Sequence, residues 1–302
     1  MQIMSVRGPI DPDQLGITQT HEHVLCNMYW KTGSVDDLLN DESIAAEELL
    51  HFRNAGGSAL VDPTNHGLGR DPAALQRISE LTGLHVIMGS GWYRAPFYPA
   101  EIERRSTNDL ASEIIADLTT GVDGTGIKAG IIGEIGVNLD YLTPGEERVL
   151  RAAARAHRFT GAAITLHAEY CPVGLKQLEI LDEEGVDLRR VIVGHADSYL
   201  DLSYHEEIAR RGAYVEYDGV GRPHIYPDHL RAKALVEFLR RGHAAKVLLS
   251  TDRCRRSDLR LYGGEGYDHL LLKFVPMLRE AGISDEQIRA MLIENPKRIL
   301  AC

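Results

Sequence analysis

Residues Gly16–Val24 read GITQTHEHV, a short β-rich stretch followed by no glycine-rich turn. An open, doubly wound sheet would be expected to place a phosphate-binding turn after its first strand, and this position holds THEHVLC instead. Seven more apolar, β-rich stretches follow: Ser58–Pro63, His85–Ser90, Gly130–Val137, Ala163–His167, Val191–His195, Ala213–Tyr217 and Lys246–Thr251. Helical spacing recurs between them, at Ile44–Asn54, Pro72–Leu81, Leu110–Leu118, Glu146–Phe159, Gly174–Glu183, Ser203–Arg211 and His229–Arg241. In Glu146–Phe159, Val149, Leu150, Ala153 and Ala156 share one face and arginines take the other. Alternating strands and helices imply a parallel sheet covered by helices. Eight units in about 250 residues match a closed (β/α)8 TIM barrel of the α/β class. Two further helices, Tyr267–Ala281 and Ser284–Leu292, complete the C-terminus. No low-complexity run or linker divides the 302 residues, so residues 1–302 are read as a single domain.

The polar residues fall at the strand ends. His21 and His23 end the first strand, Glu134 lies on the fourth, His167 ends the fifth, His195 the sixth, and Asp252 the eighth. The carboxyl ends of barrel strands form the mouth where catalytic groups gather. Residues 21 and 23 are two apart, so their side chains share one side of a strand. A lone strand-end histidine is more often a hydrogen-bonded core residue than a ligand; the joint pattern across five strands decides for metal. Four imidazoles and two carboxylates suit two divalent ions such as zinc, or manganese, cobalt or iron. Glu134 is the natural bridge between them, and Asp252 is placed to orient a shared hydroxide and carry its proton to the leaving group.

Other polar residues are read more plainly. Glu22 alternates away from the ligand pair and is expected to make a supporting hydrogen bond or salt bridge. His51, His85, His157, His205, His229 and His243 are structural or solvated, whereas His66, His224 and His269 are candidates for a supporting role near the mouth. Candidate substrate contacts are Tyr93 in GWYRAPFYP, which can donate to the attacked oxygen, and Arg222, which can pair with an anion. Arg253, Arg255 and Arg256 follow Asp252 as either a solvated run or a local anion site.

Composition excludes several classes of function. The net charge of −11 argues against a nucleic-acid partner. Four dispersed cysteines fit reduced thiols and a cytoplasmic setting. The first residues show no signal-peptide core, and no apolar run is long enough to span a membrane.

VRGPIDPDQLGITQTHEHV, VDPTNHGLGRDP and GGEGYDHLLLKFVPMLREAGISDEQIRAMLIENPKRILA together resemble the phosphotriesterase-like family of the amidohydrolase superfamily, nearly end to end. The resemblance implies that His21 and His23 hold the more buried metal, completed by Asp252, and that His167 and His195 hold the more exposed one. The chain departs from phosphotriesterases and quorum-type lactonases in having Glu134 where they carry a carboxylated lysine. This is similar to the glutamate-bridged branch of phosphotriesterase homology and phosphotriesterase-related proteins. The expected activity is hydrolysis of a carboxylic ester, a lactone or an N-acyl amide of a small anionic amine. The alternatives are phosphotriester or phosphoester hydrolysis and, more remotely, a non-catalytic small-molecule-binding barrel. The resemblance also implies a homodimer.

Overall fold

A computed structural model describes residues 1–302. Eight strands form one sheet in chain order: β1 (Thr18–Gln19), β2 (Ala59–Asp62), β3 (His85–Ser90), β4 (Ile131–Gly136), β5 (Ile164–His167), β6 (Val191–Gly194), β7 (Tyr214–Tyr217) and β8 (Val247–Leu249). Every neighbouring pair is parallel. The helices between them are α1 (Glu42–Asn54), α2 (Pro72–Thr82), α3 (Thr107–Thr119), α4 (Pro144–Thr160), α5 (Gly174–Glu183), α6 (Leu202–Arg210) and α7 (Asp228–Arg240). The chain is thus an α/β TIM barrel, as its alternating pattern implies. No helix is long and apolar enough to cross a membrane.

Strand alternation sorts the core. Ala59, Val61, Ile87, Ile131, Ala163, Ile192, Tyr214 and Leu248 form an interior cluster, roughly one residue per strand. Their neighbours Ile132, Ile164, Val191, Val193, Val215 and Val247 face outward into the helical layer. The N-terminal hairpin, Ile3–Ser5 against Gly8–Ile10, brings Ile3 to the floor of the interior cluster beside Ile299 and Leu300. The termini meet there: Gln2 and Cys302 exchange backbone hydrogen bonds of 2.9 and 3.1 Å.

Helix α4 shows why these segments are helical. Pro144 occupies the first turn, and Thr143 and Glu146 form a reciprocal capping box. The Glu146 carboxylate also accepts the Asn138 and Ala95 N–H groups, at 2.9 and 3.2 Å, so one cap ties two mouth loops to the helix.

Two elements differ from the sequence-based expectation. The C-terminal helices each contain a π turn, Leu270–Phe274 and Ala290–Glu294, just before Val275–Glu280 and Asn295–Leu300. Pro276 and Pro296 explain both, because neither has an N–H for the carbonyl four residues earlier, and the register widens by one residue. The second helical segment therefore runs past Leu292 to Leu300.

The first strand is the other difference. Its ladder covers only Thr18–Gln19, and β1 forms no regular ladder with β8. Side-chain hydrogen bonds, with one backbone bond, close the barrel instead. His21 N–H donates to Ser250 Oγ at 3.0 Å and Asp252 N–H to His21 O at 3.2 Å. Glu22, fully buried, accepts from Ser250 Oγ, Thr251 N and Thr251 Oγ1 at 2.7 Å each, and from Arg253 N at 3.0 Å. On the other side, Val24 N–H donates to Asp62 Oδ2 at 3.1 Å. Glu22 is therefore the clasp of the barrel seam.

Replacing Glu22 by alanine leaves several buried donors without an acceptor, and the expected loss is about 3 kcal/mol in urea unfolding of the metal-free protein. Glu22→Gln should retain part of that stability. A loss below about 1 kcal/mol for the alanine variant would refute the clasp.

Candidate metal centre

Two of the six candidate ligands reach the barrel axis only through departures from regular strand geometry. Ile131 faces inward, so regular alternation would turn Glu134 outward. The β4–β5 register slips between Ile132 and Ile135, both of which face out, and the extra residue swings Glu134 into the interior. Gly133 makes this possible: its φ is 116°, and a β-carbon there would collide with the Thr165 carbonyl oxygen. The same parity would turn His195 outward after inward-facing Ile192. A left-handed conformation, φ 55°, redirects it to the mouth. Asp252 also sits at positive φ, 48°. Such backbone is unfavourable for residues other than glycine and persists where surrounding contacts hold it.

The six predicted ligands converge. His23 Nε2 lies 3.4 Å from Glu134 Oε1 and 3.4 Å from Asp252 Oδ1. His21 Nε2 lies 3.6 Å from Glu134 Oε2 and 3.9 Å from Asp252 Oδ1. On the other side, His167 Nδ1 and His195 Nε2 lie 2.9 and 3.4 Å from Glu134 Oε2. Donor atoms of His21, His23 and Asp252 fall within 4.8 Å of one another, as do those of Glu134, His167 and His195. Ligands about 2.0–2.1 Å from a tetrahedral ion stand about 3.3 Å apart, close to most of these spacings. Glu134 thus stands among all four histidines, with Oε1 nearest His23 and Oε2 facing His21, His167 and His195.

Electrostatics fit the same group. All six side chains are nearly inaccessible, and both ring nitrogens of His21 lack a hydrogen-bond partner despite full burial. An imidazole left so is unfavourable unless one nitrogen binds a metal. Burial lowers the proton affinity of His21, but Glu134, Glu216 and Asp218 outweigh it and raise its pKa to about 9. Burial likewise opposes His23, yet Asp252 and Glu134 lift it to about 10. His195 is raised too, with Asp218 overcoming burial. His167 goes the other way, to about 4, through burial and the charge of His195. Burial raises Glu134, but the surrounding histidines hold it well below the usual carboxylate range. The site draws in positive charge, which protons supply until divalent ions do.

Supporting contacts orient the ligands. His195 Nδ1 lies 2.9 Å from Asp218 Oδ1, His23 Nδ1 lies 2.7 Å from Thr64 Oγ1, and His21 Nδ1 lies 3.5 Å from both Glu216 and Asp218. Asp218 is pushed up to about 6 by burial, against the pull of His195. Glu216 and Asp218 follow inward-facing Tyr214 at alternate positions on and just past β7. Their signal in the sequence was YVEYD, with two acids in step, but sequence reasoning assigned them no role.

Above the ligands opens a cavity of about 340 Å³ lined by Tyr93, Arg94, Glu169, Arg222, His224 and Arg255, among others. Tyr93 Oη stands 3.4 Å from His167 Nε2. Arg222 pairs with Asp252 Oδ2 and donates to Cys254 Sγ at 2.9 Å. Arg255 lies 3.1 Å from Asp37. Arg253 is not brought to the cavity, because its guanidinium donates to the carbonyls of Gly266, Gly221 and Val220 behind the wall. Arg256 likewise turns to Leu38 O, so the arginine run is dispersed. His66 stacks on Trp92 and meets Glu113 at 3.0 Å, and His269 sits between Asp228 and Glu265; neither lines the cavity. His205 is structural, with Nε2 2.9 Å from Ala196 O.

The sequence matches the profile of the Phosphotriesterase family over residues 1–300. It is 38% identical over 286 residues to a phosphotriesterase homology protein of Escherichia coli, covering 95% of this chain and 98% of that one. It is 33% identical over 341 residues to an N-acetyltaurine hydrolase of Tetraodon nigroviridis, covering 99% and 97%. The crystal structure of a lactonase from Listeria monocytogenes superimposes with a TM-score of 0.94 at 28% identity, covering 100% and 99%.

Two outcomes follow from the geometry. His21, His23 and His195 hold protons above neutrality, so each must release one ring proton to ligate. Metal binding near pH 7 should thus release on the order of two to three protons and tighten as pH rises towards 9. Calorimetry in buffers of different ionisation heat reads this, and proton-neutral binding would contradict it. Asp218→Asn should weaken metal affinity by about 10–100-fold in chelator competition, and an unchanged affinity would remove Asp218 from the site.

Proposed function

Because the chain belongs to the phosphotriesterase family of amidohydrolase-type hydrolases, we propose that it is a binuclear-metal hydrolase acting on the carbonyl of a carboxylic ester, lactone or N-acyl amide. The observation that carries this reading is Glu134, which stands among all four histidines, Oε1 facing His23 and Oε2 facing His21, His167 and His195. His21, His23 and Asp252 would hold one ion, His167 and His195 the other, with Glu134 between them. When bound, two divalent ions supply a hydroxide near neutral pH and polarise the carbonyl that it attacks. The preference for carbonyl substrates is supported by the relatives named for an N-acetyl amide and a lactone.

The chain's own groups do the rest. Asp252 directs Oδ1 at His21 and His23 and Oδ2 at Arg222. One oxygen can ligate while the other takes the nucleophile's proton and returns it to the leaving alkoxide or amine. Burial would raise its pKa, but Arg222 and the histidines hold it well below the usual carboxylate range, so it is ionised. Burial pushes the Tyr93 phenol well above its ordinary value, so it stays protonated as a donor to the attacked oxygen. The net charge of −11 argues against a nucleic-acid partner, and a cavity of about 340 Å³ fits a small molecule.

The test is metal content together with turnover of lactone, N-acyl amide and aryl phosphotriester panels by wild type and Asp252→Asn. About two ions per chain, carbonyl-selective turnover and a kcat lowered roughly 10²–10⁴-fold in the variant are expected. Stoichiometric metal with no turnover on any panel would favour a binding protein. A dominant phosphotriester rate would overturn the carbonyl preference.

A further inference from the structure

Arg94 follows β3 and opens the 3-10 turn Ala95–Phe97 on the cavity wall. The two other cavity arginines have acidic partners, Asp252 for Arg222 and Asp37 for Arg255. No carboxylate oxygen comes within the 4.0 Å of a salt bridge to Arg94. Its Nε is buried with no partner, and its guanidinium is held 4.8 Å from the Tyr93 ring centre and 5.7 Å from that of Phe97. The aromatic faces fix the plane of the fork without satisfying its donors.

The one polar neighbour of its Nη1 is His167 Nε2, at 3.4 Å. His167 turns Nδ1 to Glu134 at 2.9 Å. Ligation through Nδ1 leaves the hydrogen on Nε2, so Arg94 then faces another donor. The remaining cavity carboxylates are otherwise engaged: Glu134 and Asp252 among the histidines, and Glu169 3.7 Å from His167 Nε2. A charged fork aimed at the cavity is thus left without an acceptor, and such a group favours a planar or tripod oxyanion.

We propose that Arg94 is the anion-binding residue of the cavity and selects substrates with a carboxylate, sulfonate or phosphate a short tether from the scissile carbonyl. The inference rests on the hydrolytic reading above and names the residue that would read an anionic group on its substrate.

A matched pair of amides tests it: N-acetyltaurine, which ends in a sulfonate, and N-acetylethanolamine, which has the same tether and ends in a hydroxyl. With metal-loaded wild type, kcat/KM should favour the sulfonate by roughly 10–100-fold. Arg94→Gln should collapse that ratio through KM, and Arg94→Lys should restore part of it. An unchanged ratio, with both substrates slowed alike, would assign Arg94 a structural role and overturn the proposal. Titration with ethanesulfonate reads the subsite without turnover. Binding weakened about tenfold or more in Arg94→Gln supports it, and equal or absent binding in wild type overturns it. Absence of amide turnover in wild type alongside Arg94-dependent sulfonate binding would sink the amide chemistry while sustaining the anion site.

Discussion

An ionised carboxylate in a protein interior is strongly unfavourable unless positive charge stands beside it, and Glu134 is buried at the barrel axis. Four imidazoles surround it, and Glu216, Asp218 and Asp252 stand close behind them. Acids outnumber any fixed cation at the centre, since Arg222 reaches only the outer oxygen of Asp252. The balance must come from protons on the histidines or from divalent ions. The raised histidines, the orphaned nitrogens of His21 and the outer layer of hydrogen bonds all follow from this requirement.

The fold meets the requirement by interrupting its own regularity. A perfectly alternating barrel would present neither Glu134 nor His195 to the axis. A bulge at one strand and a left-handed residue after another bring them in. Well-packed outer residues such as Ile132, Ile135 and Val193 hold these departures in place. The strained backbone therefore sits at the metal centre, while the helical layer provides the surrounding stability.

Much of this was legible in the amino-acid order. Strands two to eight are legible as short apolar runs buried on both faces, and the seven helices between them as amphipathic segments that bury one. The six ligand candidates stood out because histidine and acid at the ends of apolar strands are unusual. What periodicity does not carry is direction. The bulge at Gly133 and the turn at His195 depend on contacts with Thr165 and Asp218, far away in sequence. Glu216 and Asp218 passed unnoticed because an acid alternating on a strand looks solvent-facing until closure puts Tyr214 inside. Arg253 and Arg94 show the same limit: two loop arginines of equal appearance, one spent on carbonyls and the other left facing the cavity. The first strand is shorter than its composition suggests because serine and glutamate side chains replace the backbone ladder at the seam.

That seam has a consequence for biosynthesis. His21 and His23 leave the ribosome about 230 residues ahead of Asp252. The half of the centre that these three would form cannot be assembled by a nascent chain until β8 has emerged and Glu22 has found Ser250 and Thr251. Until then the early histidines are exposed chelators on an open, incomplete sheet. If these residues hold metal as proposed, that half of the centre would load only after the two ends of the barrel have met, and a captured ion would clamp them together.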